Sequence, residues 1–228
     1  MANFPVHCRP LAYRTLAERA AKLDSPDDLF RAAWALALHE HPDVDLAAGE
    51  TAIENLAIAV NRRVRSRDPE ARLAHLHDVL FEVYGLQGNA DDYYDPANSY
   101  LCEVLRTRRG IPISLVLIYR CVAAKCGLAV HGINSPGHFL AEVDLRPGPA
   151  ASRLFVDPFF GGCVLSRAEA VERIAAATGQ RGAPSESFFD RASGRQWLLR
   201  MLTNLQAVFA AADRQRDVFA MQELQTLV

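Results

Sequence analysis

Residues able to do acid–base or nucleophilic chemistry cluster between Arg108 and Gly162. His138 sits in Pro136-Gly137-His138-Phe139, where a tight turn delivers an imidazole to the start of a strand beside an apolar face. Asp157, followed by Pro158, closes the later run RLFVDPF. A carboxylate that accepts from one ring nitrogen of a histidine fixes its tautomer and raises the basicity of the other, the orienting arrangement of hydrolase triads. Such a pair acts only through a third group, a thiol or hydroxyl whose proton it can take. Without that group, the two side chains satisfy each other as a buried hydrogen bond.

Ser114 and five cysteines are the candidates for the third group. Ser114 stands near a helix start, where a hydroxyl equally suits the orphan N–H groups of the first turn. Cys121 and Cys126 lie further along the same run, Cys126 at the end where the helix dipole disfavours a thiolate, and both read as small core residues. Cys163 follows Asp157 closely, after the Gly161-Gly162 pair, and is placed to fold back toward His138. Cys8 and Cys102 are weaker candidates.

The elements that must position these groups are legible as patterns. Pro112 suits a first helical turn and Gly127 the left-handed residue just past its end. The run between them is apolar on every side, with only Arg120 and Lys125 charged, so it predicts an enclosed core helix. The short runs LAVHGI, FLAEVDL and RLFVDPF then alternate with turn chemistry at 134–137 and 146–150, predicting antiparallel strands packed on that helix.

The run NSYLCEVLRTRRGIPISL from Asn98, with PGHFL and VDPFFGG, resembles the transglutaminase-like domain of bacterial SirB-type proteins. HEHPDVDL and LHDVLFEVYGLQGNADDYYDPANSYL match the same pattern, so the likeness spans nearly the whole chain. It implies an α+β fold with a transglutaminase-like, cysteine-proteinase-type core over residues 98–180. A helical part, 1–97, would precede that core, and a linker with a tetratricopeptide-like hairpin, 181–228, would follow it.

In active members of the family a Gly, one residue and a Cys open the core helix and another Gly closes it. Laying Gly110 and Gly127 on those glycines puts Pro112 where the cysteine would be, His138 on the catalytic histidine and Asp157 on the aspartate. Proline cannot attack a carbonyl, and Ser114 is rotated about 200° around the helix from it. Two functions follow from the resemblance. One is a pseudoenzyme, a non-catalytic regulatory module that binds a peptide or protein. The other is an amide or ester hydrolase or acyltransferase in which Ser114 or Cys163 attacks, His138 is the base and Asp157 orients it.

The loop GLQGNADDYYDPANSYL packs glycines, aspartates and tyrosines into a short connection. Tyr93 and Tyr94 can wall a groove beside His138 and Phe139, or cover the core helix while Asn98 or Ser99 caps the next one. Three amphipathic helices are predicted upstream, from Pro26, around Ile53–Val64 and from Pro69. His39 with His41 and His75 with His77 read as solvent-facing or capping, because residues two apart face different sides of a helix. Ser166 with Glu169 forms a capping box for a helix that Gly179 closes, and 179–194 is the most plausible boundary.

A net charge of -2 argues against nucleic acid or an anionic membrane as a partner, and no apolar run is long enough to span a bilayer. Five irregularly spaced cysteines and no apolar leader at the N-terminus suit a reducing cytoplasm. No metal-ligand spacing and no cofactor motif is present.

Overall fold

The computed structural model describes residues 5–145, 153–179 and 185–228. At its centre lies the helix α6 (Pro112–Lys125), opened by Pro112 and followed by Gly127 at φ +75°. Every residue from Pro112 to Ala123 except Arg120 is buried, as a helix apolar on all sides requires.

Helices enclose α6 on one side. They are α1 (Pro10–Arg19), α2 (Pro26–Ala37), α3 (Leu46–Arg63), α4 (Pro69–His77) and the short α5 (Leu101–Thr107). Ser25, Asp45 and Asp68 cap α2, α3 and α4 by accepting from first-turn N–H groups. Two features depart from the sequence expectation. α1 is a helix where none was predicted, and the run from Pro69 loosens into a π-helix over Asp78–Val83. His39 is also not solvent-facing, since Nε2 lies 2.9 Å from the Asp217 carboxylate and the ring is buried.

On the other side of α6 lies a four-stranded antiparallel meander: β3 (Ala129–Ile133), β4 (Leu140–Asp144), β5 (Arg153–Asp157) and β6 (Cys163–Leu165). The first three strands fall on the predicted runs, and the turn expected at 146–150 lies outside the described residues. β6 is an addition; three residues are too few for a period-two pattern to show. A two-residue parallel pair, β1 (Gln87–Gly88) with β2 (Arg109–Gly110), ties the preceding loop to the entry of α6.

Val130, Ala141, Val143 and Val156 face the main core, whereas Ile133, Leu140, Phe155 and Leu165 face outward onto a second small core. The helix α7 (Arg167–Thr178) covers that outer face through Ala170. Its capping box of Ser166 and Glu169 is formed, and Gly179 ends it at φ +67°. The boundary segment is described only in part, because residues 180–184 fall outside the described set.

The C-terminal helices α8 (Gly194–Ala211) and α9 (Gln215–Gln225) form a hairpin integral to the same core. Trp197 is fully buried, with its ring 4.6 Å from that of Phe139 and its indole N–H donating to Ile113 O at 3.4 Å. Gly132 is what admits it, since a Cβ there would sit 2.3 Å from the indole. The result is an α+β fold with a buried helix packed on a small antiparallel sheet.

Candidate functional site

The turn through Gly137, at φ +70°, carries His138 to the head of β4, and Asp157 ends the neighbouring strand β5. Antiparallel pairing therefore brings two residues 19 apart in sequence to one end of the sheet. His138 Nε2 lies 2.9 Å from Asp157 Oδ2, with Asp157 fully buried and His138 7% exposed. Asp157 Oδ1 accepts from Phe159 N at 3.1 Å, and Arg173 of α7 lies 3.6 Å from Oδ2. The carboxylate thus has three stabilising neighbours, which a buried charge needs. With Asp157 ionised, Nε2 carries the proton and Nδ1 is left as the basic nitrogen.

Next to the imidazole is a small cleft, about 30 Å³, closed by Pro112 and Ile113 at the start of α6 and by Phe139. Tyr93 forms another wall, and Arg200 and Asn204 of α8 roof it. The structure therefore gathers Tyr93, Pro112, His138 and Phe139 in one place, with Asp157 behind them. A space of this size admits one small terminal group rather than a substrate chain.

The other sequence candidates sit elsewhere. Ser114 is fully buried, and its hydroxyl faces Asn98 O at 2.7 Å and Ile111 O at 2.9 Å, away from the cleft. Cys163 is exposed on the edge strand, opposite Asp157 in the register but outside the cleft. Burial pushes the thiols of Cys8 and Cys121 up to about 12 and those of Cys102 and Cys126 up to about 11, all away from the thiolate form. Tyr94 does not line the cleft; it is 71% exposed, with its ring 5.4 Å from that of Tyr93.

Asn98 does not cap α5, whose start has no side-chain cap. Its amide instead donates to Asp92 O at 2.7 Å and Tyr93 O at 3.3 Å, while its carbonyl oxygen Oδ1 accepts from Asn89 at 3.0 Å. One buried side chain therefore shapes the tyrosine loop, and its backbone oxygen receives the Ser114 hydroxyl. Arg173, Arg200 and Asn204 were not anticipated as site residues. The i, i+4 spacing of Arg200 and Asn204 puts them on one helix face, but nothing local says which surface that face will meet. Among the described residues no cluster of three or more His, Cys, Asp or Glu side chains is placed to hold a metal ion. No described helix is long and apolar enough to cross a membrane.

A buried helix on an antiparallel sheet, with a histidine–aspartate pair beside the helix entry, is the arrangement expected of transglutaminase-like proteins. Residues 47–203 match the model of the transglutaminase-like superfamily, and the chain belongs to that superfamily. It is 35% identical to a UPF0162 protein of Xylella fastidiosa over 191 residues, 82% of this chain and 66% of the relative. A UPF0162 protein of Vibrio cholerae is 30% identical over 104 residues, 44% of this chain and 36% of that one. Human F-box only protein 21 is 31% identical over 134 residues, 59% of this chain but 20% of the human protein. The chain thus spans just under two thirds of the Xylella relative's length. No solved structure matches it.

Proposed function

We propose that this chain is a non-catalytic, SirB-type member of the superfamily, a cytoplasmic regulatory module that binds a peptide or protein partner at the mouth of the His138 cleft. In this reading α8 and α9 are a tetratricopeptide-like hairpin, and neither nucleic acid nor a membrane is a partner. The observation that carries it is Pro112. The cleft beside the imidazole presents a proline where a nucleophile is needed, and among the described residues neither a serine nor a cysteine lines it. The exposed ring of Tyr93 on the cleft wall, with that of Tyr94 beside it, supports a binding role, since aromatic side chains are enriched at recognition surfaces.

The competing reading, an amide or ester hydrolase or acyltransferase using Ser114 or Cys163, draws on the buried His138–Asp157 pair, a costly thing to keep without use. Ser114 already donates to backbone oxygens, and an unassisted hydroxyl is a poor nucleophile at neutral pH. The two readings part on labelling of the full chain with a fluorophosphonate and with iodoacetamide, in wild type and in His138→Ala. The binding reading expects no fluorophosphonate adduct, and Cys163 alkylation at the rate of an ordinary exposed thiol in both proteins. Labelling of Ser114 or Cys163 that disappears in His138→Ala would sink it.

A further inference from the structure

Several polar side chains meet at the cleft with hydrogen-bonding capacity unspent. His138 commits Nε2 to Asp157, and its Nδ1 has no partner among the described residues. Arg200 spends Nη1 on Asn134 Oδ1 at 3.0 Å and Ser135 O at 3.4 Å; its other nitrogens make no bond, and no carboxylate lies within ion-pair distance, among the described residues. Asn204, one turn further along α8, and the Tyr93 hydroxyl make no side-chain hydrogen bond among the described residues, yet both line the same space. α6 opens there with no side chain capping its first turn.

A partly desolvated guanidinium without a counter-charge, next to a helix N-terminus, is an uncompensated positive site. Consistently, burial lowers the pKa of Arg200. The available space, about 30 Å³, suits one small group such as a carboxylate rather than a whole side chain. Through Tyr93 on the cleft wall runs a continuous strip of rings, Tyr94–Tyr93–Phe159–Phe160, with successive centroids 5.4, 5.9 and 5.2 Å apart and both phenylalanine rings 6.3 Å from that of His138. Phe160, at the far end of that strip, is 49% exposed.

We propose that the cleft captures the C-terminal carboxylate of a partner polypeptide, Arg200 and Asn204 holding the carboxylate and the aromatic strip receiving the apolar residue that bears it. Arg200 fits this role because its planar fork can grip both carboxylate oxygens. The assignment rests on the non-catalytic reading above, since a nucleophile would need the same space.

The test is a titration of the isotope-labelled full chain, followed at the Arg200, Asn204 and His138 side-chain resonances. The probes are N-acetyl-phenylalanine, N-acetyl-phenylalaninamide, N-acetyl-glutamic acid α-amide and inorganic phosphate. N-acetyl-phenylalanine is expected to bind at least tenfold more tightly than the other three, and that advantage should vanish in Arg200→Gln. Asn204→Ala, expected to weaken the acid alone, serves as the second variant if Arg200→Gln fails to fold. The proposal is overturned if no probe binds, if the amide, the side-chain acid or phosphate matches the terminal acid, or if a folded variant keeps the preference. Loss of the preference without His138-dependent labelling removes carboxylate capture alone, whereas His138-dependent labelling removes the non-catalytic reading with it.

Discussion

Pro112 is the residue on which the chemistry turns, because it lines the same small cleft as His138. Proline at the first helical position is good for the helix and useless for attack. Restoring a thiol with Pro112→Cys should therefore create a reactive group beside Nδ1 at a stability cost under about 1 kcal/mol. Iodoacetamide mass spectrometry at neutral pH is expected to show the introduced thiol alkylated at least tenfold faster than Cys163. The enhancement should be lost when His138→Ala is added; equal rates with and without the imidazole would mean that Pro112 does not occupy the nucleophile's place. Ser114 is a contrasting case. Its hydroxyl is a structural link between α6 and Asn98, so Ser114→Ala should cost about 0.5–1.5 kcal/mol in urea unfolding and leave the labelling pattern unchanged. Both roles were open in the sequence, because a hydroxyl near a helix start suits capping, cross-linking or attack equally well.

Among the elements, the tyrosine loop depends most visibly on one side chain. Asn98 is 3% exposed and holds Asp92 and Tyr93 by their backbone oxygens. Asn98→Ala is expected to cost about 0.5–1.5 kcal/mol in urea unfolding, since it removes the hydrogen bonds of a buried amide to the loop. The same variant should lower hydrogen-exchange protection across β1 and the following loop, and unchanged protection there would argue that the loop is held by its packing alone. The turn letters around Asn98 were readable, but its part in them was not. Its partners lie before it in a loop without periodicity, whereas the capping expectation looked after it. Secondary structure was legible where a helical period is regular, as in α2 and α3, or where end signals frame the run, as Pro112 and Gly127 do for α6 and the capping box and Gly179 for α7. No helix was predicted over α1, nothing local marks the π-helical turn in the run from Pro69, and β6 is too short for a period to show.

For the molecule as a whole, the C-terminal hairpin is part of the core rather than a tail laid upon it. Trp197→Ala should cost about 3–5 kcal/mol, measured by denaturant unfolding, because the indole fills the space beside Phe139 and above Gly132. α9 also clasps the beginning of the described chain. The Glu223 carboxylate accepts from the backbone N–H groups of Val6, His7 and Cys8 at 2.8 to 3.1 Å. Burial pushes its pKa up, but these donors more than offset that and hold it below the ordinary 4.5. A group depressed in the folded state stabilises fully above its unfolded pKa, and that contribution disappears as pH falls through the folded value. Thermal midpoints from neutral pH to about pH 3 should therefore fall less steeply in Glu223→Gln than in wild type. Parallel curves would show that this clasp adds nothing to stability.

By itself the sequence determined the enclosed character of α6, the three main strands, and the order of helix, histidine and aspartate. The first two follow from local apolar patterning and turn chemistry, and the third from the order in which those runs and their residues occur along the chain. Only tertiary structure decided that His138 and Asp157 bond to each other, that Ser114 turns away from them, and that α8 lays Arg200 and Asn204 over the cleft. Those outcomes depend on how faces far apart in the chain meet, and an amphipathic pattern records that a face will be buried without recording what will bury it.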